Sequence, residues 1–188
     1  MVRAAGLPAV AVNNGYEYAP WAAILYAADL KWWENYWQRG KLGGVGAKDF
    51  QGLRVTIQRE REKTFHPDIL LIGNGGSKGF DDRLDYVRTG WNSAIQATHI
   101  AVHAGAKKIL LLGCDCTGKA GRSHSFGVHA WRNNETQNRL DRTYESFIEG
   151  WGNLAPELAK RNVEVVNCSP ISAINFFPKS SVQEALAC

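Results

Sequence analysis

The sequence predicts an α/β fold built on a mainly parallel sheet, and three observations point to it. Short apolar runs that read as buried strands end in polar residues. Helical patterns separate the later runs. One stretch, Gly90 to Asp115, carries a polar-capped, Ala-rich helix through Gly105-Ala106-Lys107-Lys108 into a strand that closes on Gly113-Cys114-Asp115. Strands separated by helices run parallel through right-handed crossovers. Such sheets take ligands outside the carboxyl ends of their strands.

The elements follow in order. Ala9 to Asn13 is an opening strand that breaks at Asn14-Gly15, and Ile24 to Ala28 is a second that stops at Asp29. Asp29 is expected to cap a helix from Leu30 to Arg39, closed by Gly40. Gly43-Gly44-Val45-Gly46-Ala47 reads as a loop, because no apolar strand leads directly into it as a nucleotide fingerprint requires. Arg54–Gln58 and Asp68–Ile72 are the next strands, and Gly73-Asn74-Gly75-Gly76-Ser77 reads as a plain loop. The Asn92–Ala104 helix and the Lys108–Gly113 strand follow. A long polar helix then spans about 135–161, with bends expected at Gly150 and Gly152 and a new turn at Pro156. Val163–Asn167 is the last strand and Val182–Ala187 a terminal helix.

With 188 residues, 45% hydrophobic and 21% charged, the chain suits a single domain over residues 1–188. No apolar run approaches the ~18 residues of a membrane helix, and no basic-apolar leader opens the sequence, so an intracellular protein with no membrane partner is expected. The net charge is +4, but bases alternate with acids in Arg59-Glu60-Arg61-Glu62-Lys63, which reads as a solvated face with no nucleic-acid partner. Cys114, Cys116, Cys168 and Cys188 lack the paired spacing of a zinc site and are expected to be reduced thiols.

Two helices carry distinctive patterns. At about 100° per residue, Ala94, Ala97, Ala101 and Ala104 share one face of the central helix, expected to lie on the sheet. Asn92, Gln96, His99 and His103 share the opposite one, expected to face solvent or a second subunit. His99 and His103 have the i, i+4 separation of zinc-binding helices, but Ile100 stands where a metalloprotease needs its glutamate, so no metal is expected. Trp32, Trp33, Tyr36 and Trp37 form two i, i+4 pairs. Core packing is the stronger reading; a homo-oligomer contact through the Trp32–Trp37 helix stands beside it.

The strand ends expose Asn13-Asn14, Asp29, Cys114-Asp115-Cys116 and Asn167-Cys168-Ser169. Asn and Ser offer donors and acceptors able to read a base edge or a ribose hydroxyl, and a helix starting at Asn92-Ser93 presents free N–H groups to a phosphate. Together they favour a nucleotide-sized crevice, although strand-terminal turns select the same residue types. In Arg122-Ser123-His124-Ser125-Phe126-Gly127-Val128-His129, two histidines follow the Asp115 strand end in a glycine-containing loop, where an imidazole could act as acid or base.

Asn92-Ser93-Ala94, the Gly105–Asp115 run, Ser123–His129, and Val166-Asn167-Cys168-Ser169-Pro170 with Ser172-Ala173 resemble the ordered motifs of a Rossmann-like group. It includes bacterial lipooligosaccharide sialyltransferases, archaeal 6-hydroxymethylpterin pyrophosphokinase-like proteins and small phage and prophage proteins. Val10–Asn14, Ala19-Pro20-Trp21 and Tyr26–Trp33 look most similar to the phage members. The resemblance implies a three-layer fold, a mainly parallel sheet with helices on both faces, in the cytoplasm of an infected or lysogenic bacterium. It implies a nucleotide or nucleotide-sugar ligand and no further cofactor. Asn13 and Asn14 would hold the nucleotide, Asn92 and Ser93 would lie beside the donor, His124 would be the base, and Asn167 and Ser172 would shape the base pocket. Asp115, Ser123 and His129 complete the candidate set. Those enzymes open with a strand and a Gly-x-Gly-Pro-Ser type loop that Met1–Pro8 does not reproduce. Three readings therefore stay open: a transferase, a catalytically silent nucleotide- or signal-sequestering protein, and a virion-assembly component.

Overall fold

The computed structural model describes residues 6–57, 66–117 and 137–187, with side chains from 141 onward in the last segment. The chain groups into two compact units, Met1–Gly76 with Asp81–Val87, and Ser77–Phe80 with Arg88–Cys188. In chain order the elements are β1 (Val10–Val12), β2 (Ile24–Tyr26), α1 (Leu30–Tyr36), β3 (Leu53–Ile57), β4 (Ile69–Asn74), β5 (Tyr86–Val87), α2 (Ser93–His103), β6 (Lys108–Leu111), α3 (Gln137–Lys160), β7 (Glu164–Asn167) and α4 (Val182–Ala187). The fold is α/β and Rossmann-like, and every pairing between these strands is parallel.

The first unit is a five-stranded sheet in the order β1-β2-β3-β4-β5. Each strand lies beside its sequence neighbour, so the strand order never reverses within this sheet. β2 pairs on both edges, Leu25 with Ala11 and with Arg54, which is why its run is apolar on both faces. α1 follows β2, with Trp32, Trp33 and Tyr36 all buried. Trp32 and Trp33 meet edge to face at 5.0 Å and Tyr16 meets Trp32 at 6.0 Å. Each buried aromatic contributes about 1.5–3 kcal/mol, and the Trp33 indole N–H is satisfied by the Ala27 carbonyl at 3.1 Å. Three aromatics of the helix therefore belong to the core; of the four only Trp37 is half-buried, and it lies against His66 with ring centroids 4.3 Å apart and planes tilted by 39°.

The helix differs from expectation at both ends. Asp29 is the N-cap by position, but its side chain makes no capping hydrogen bond; its carbonyl takes the Trp32 and Trp33 N–H groups. The helix stops at Tyr36, and the following chain turns back through an antiparallel bridge between Arg39 and Val45. Glu17 fixes that turn, its carboxylate accepting from the Lys41 and Leu42 amides at 2.9 Å each. β5 was not foreseen: two residues, Tyr86 and Val87, are too short for periodicity to register.

In the second unit, β6, α3 and β7 form a βαβ crossover, and β6 and β7 make a two-stranded sheet with Leu111 opposite Asn167. Its core joins Ile95 of α2, Leu111 of β6, Trp151, Leu154 and Leu158 of α3, and Val165 of β7 with Ile174. α3 stays helical from Gln137 to Lys160 through Gly150 and Gly152, where bends were expected, and through Pro156, where a new turn was expected. An interior proline costs a helix roughly 3 kcal/mol. Trp151, Leu154 and Leu158 lie on one stripe either side of Pro156, and their burial, at about 1.5–3 kcal/mol each, outweighs that cost.

α2 corrects the expected faces. Gln96 and His99, assigned to a solvent- or subunit-facing stripe, are 2% and 0% exposed, whereas Ala104 of the supposed inner stripe is exposed. The imidazole of His99 lies flat on Phe80, centroids 4.6 Å apart and planes 5° apart, and its Nδ1 is 3.0 Å from the Ile95 carbonyl oxygen. Gln96 donates to the Thr89 carbonyl at 2.7 Å. Polar side chains enter a core when their polar atoms find partners there, which a polar-versus-apolar reading of the helix wheel cannot register.

Candidate functional site

The candidate residues of the second unit gather where α2 begins and β6 and β7 end. Asn92 is the N-cap of α2: its amide oxygen accepts from the Ala94 N–H at 2.7 Å, and its amide nitrogen approaches Cys116 Sγ at 3.9 Å. One side chain thus joins the helix start to the segment leaving β6. Ser93, the first helical residue, is half-buried beside it. The early N–H groups of such a helix carry partial positive charge.

The ends of β6 and β7 are tied by a connected polar network. The Cys114 N–H donates to Ser169 Oγ at 2.9 Å, and the Ser172 hydroxyl donates to the Cys114 carbonyl at 2.8 Å. Asn167, 1% exposed, donates to Ser172 Oγ at 2.9 Å and to the Ile174 carbonyl at 3.1 Å, while its amide oxygen accepts from the Ser169 N–H. The Asp115 carbonyl accepts from the Ala173 N–H at 2.8 Å. Asn167 and Ser172 therefore spend their hydrogen bonds internally and set the shape of this edge. Asn92, Asp115, Asn167 and Ser172 are brought together through Cys114 and Cys116.

Cys114 and Cys116 are free thiols packed against the Trp151 core. Burial, with smaller contributions from Cys116 and Asp115, pushes Cys114 up to about 12; burial pushes Cys116 up to about 11 against the opposing pull of Trp151, with Asp115 adding to the rise. These thiols are protonated at neutral pH, which disfavours nucleophilic or metal-ligand chemistry. Among the described residues no group of three His, Cys, Asp or Glu side chains is placed to hold a metal ion.

Backbone geometry marks the same edge. Trp91 has φ +54° and Cys116 φ +48°, in the left-handed region that bulky residues avoid. Trp91 was not singled out in the sequence; the available signal was an aromatic placed directly ahead of a helix cap. Its indole is 46% exposed.

Asn13 and Asn14 belong to the first unit. Asn13 opens a 3-10 turn with φ +49°, a conformation asparagine tolerates. Asn14 is 1% exposed; its amide oxygen accepts from the Trp32 indole at 3.1 Å and its nitrogen donates to Glu17 at 3.3 Å. Ser123, His124 and His129 lie outside the described residues. No helix among the described residues is long and apolar enough to cross a membrane. Comparison with protein-family models, curated proteins and solved structures finds no match to this chain.

Proposed function

We propose that the protein binds a nucleotide or nucleotide-derived ligand at the edge formed by the start of α2 and the carboxyl ends of β6 and β7. The observation that carries the reading is the linkage of Asn92, Asp115, Asn167 and Ser172 into one hydrogen-bonded edge, with the N-terminus of an eleven-residue helix beside it. Ligands of parallel α/β folds dock outside the carboxyl ends of strands, and the partial positive charge at the start of α2 favours an anionic group, although the Ala94 and Ile95 N–H groups are already taken by Asn92. The left-handed backbone at Trp91 and Cys116 adds support, because strain of this kind concentrates at functional sites.

The segment after Cys116 carries Ser123, His124 and His129 in sequence. On the transferase form of the reading, the ligand is a nucleotide-activated sugar. His124 takes the proton of an acceptor hydroxyl, the acceptor oxygen bonds to the sugar's anomeric carbon, and the bond to the nucleotide phosphate breaks with its electrons leaving on the phosphate. No further cofactor enters.

The test is thermal stability in the presence of CMP, CMP-sugars, ADP-ribose and cyclic nucleotides. A ligand at 100 times its Kd stabilises by about 2.7 kcal/mol. A shift with any of them supports binding, and no shift across the set rejects it. His124→Ala then separates turnover from storage: a transferase loses rate with affinity retained.

A further inference from the structure

Resting on that reading, we propose that Trp91 is the platform on which the base of the ligand stacks. The indole stands 46% exposed in a polar segment, between Gly90 and Asn92-Ser93. Exposure of a tryptophan forgoes the burial that places Trp32, Trp33 and Trp151 at 1% exposure or less.

The backbone beneath it is held on both sides. The Gly90 N–H donates to the Ser77 carbonyl at 3.1 Å, the Asn92 N–H to the Thr89 carbonyl at 3.1 Å, and the Gln96 side chain to that same carbonyl at 2.7 Å. Gly90, with φ +49°, sits where a Cβ would meet Ile95 Cδ1 at 2.7 Å. Two consecutive left-handed residues, clamped in this way, fix the backbone that carries the indole just ahead of the α2 cap. A tryptophan on a fixed backbone has only two side-chain torsions to order when a flat ring settles on it.

The chemistry that fits is a planar heteroaromatic base. Stacking uses the π-face that every base has, so Trp91 supplies affinity across pyrimidines and purines, and selection among them falls to polar groups.

Calorimetric titration of the full chain with CMP, UMP, AMP and ribose 5-phosphate tests the assignment in wild type, Trp91→Phe, Trp91→Ala and Trp91→Gly. Trp91→Ala and Trp91→Gly should weaken the three nucleotides by about 5- to 100-fold, the range of one stacked base. Ribose 5-phosphate should bind all four proteins alike, and Trp91→Phe should stay within about 3-fold of wild type for every probe. Trp91→Gly should keep a cooperative melt, since glycine adopts this backbone freely, which separates its weaker binding from a folding defect. Unchanged nucleotide affinity in Trp91→Ala and Trp91→Gly overturns the stacking assignment and leaves the binding reading standing. Equal losses for ribose 5-phosphate overturn it as well, by marking Trp91 as purely structural. Absence of nucleotide binding by wild type removes the parent reading and the stack with it.

Discussion

Gly150 of α3 meets the backbone of Gly90: a Cβ placed on Gly150 would lie 2.5 Å from the Gly90 carbonyl oxygen and 2.7 Å from Ile95 Cδ1. The long helix is thereby pressed against the turn that carries Trp91 and leads into Asn92. Gly150→Ala should destabilise by about 1–3 kcal/mol, the usual cost of overpacking a close contact, rather than stabilise as alanine in a helix otherwise does. Urea denaturation of the two proteins measures the sign.

Asn92 caps α2 through its amide oxygen. Asn92→Ala should cost about 0.5–2 kcal/mol, whereas Asn92→Ser keeps an acceptor at the cap and should cost far less. The difference in melting temperature between the two variants checks the cap. Nucleotide titration of Asn92→Ser then reports what the amide does for a ligand beyond holding the helix.

Asn14 is the acceptor of the buried Trp32 indole. Asn14→Ala leaves that N–H without its partner in a packed core and should destabilise by about 1–3 kcal/mol. A change below about 0.5 kcal/mol, the range of surface substitutions away from special features, would show that this bond carries no structural weight.

The raised pKa values of Cys114 and Cys116 set an alkaline limit. A thiol whose folded pKa lies above its unfolded value stabilises fully below the unfolded pKa, here 9.0, and loses that contribution as pH rises through about 11 and 12. Stability should therefore fall as the solution passes above pH 9. At pH 7.5 both cysteines should resist iodoacetamide in the native protein and react once it is unfolded, read by peptide mass spectrometry at each position. Rapid native labelling of either would contradict their raised pKa values.

The strands other than β5, and α2, were legible in the sequence because their signals are local. The apolar run Ile24 to Tyr26 and the Asn92 cap each lie within a few residues. What was not legible depends on contacts made across the chain. His99 looks like a surface histidine until Phe80 is found stacked on it. Pro156 looks like the start of a new turn until the core contacts around it are counted as energy. The candidate edge was readable as residue types, Asn167, Ser172 and Asp115, but their linkage runs through the backbone of Cys114 and the hydroxyl of Ser169, which no spacing encodes. Trp91 is conspicuous only by its backbone angle, a property of the fold.

The central claim, a nucleotide site at the α2, β6 and β7 edge, is tested most directly by amide and indole NMR spectra recorded through a titration with CMP. The expected result is saturable shift changes confined to the Trp91 indole, the amides of Ser93 to Ile95, and Cys114 to Cys116. Saturable changes centred elsewhere, with these signals unmoved, would contradict it.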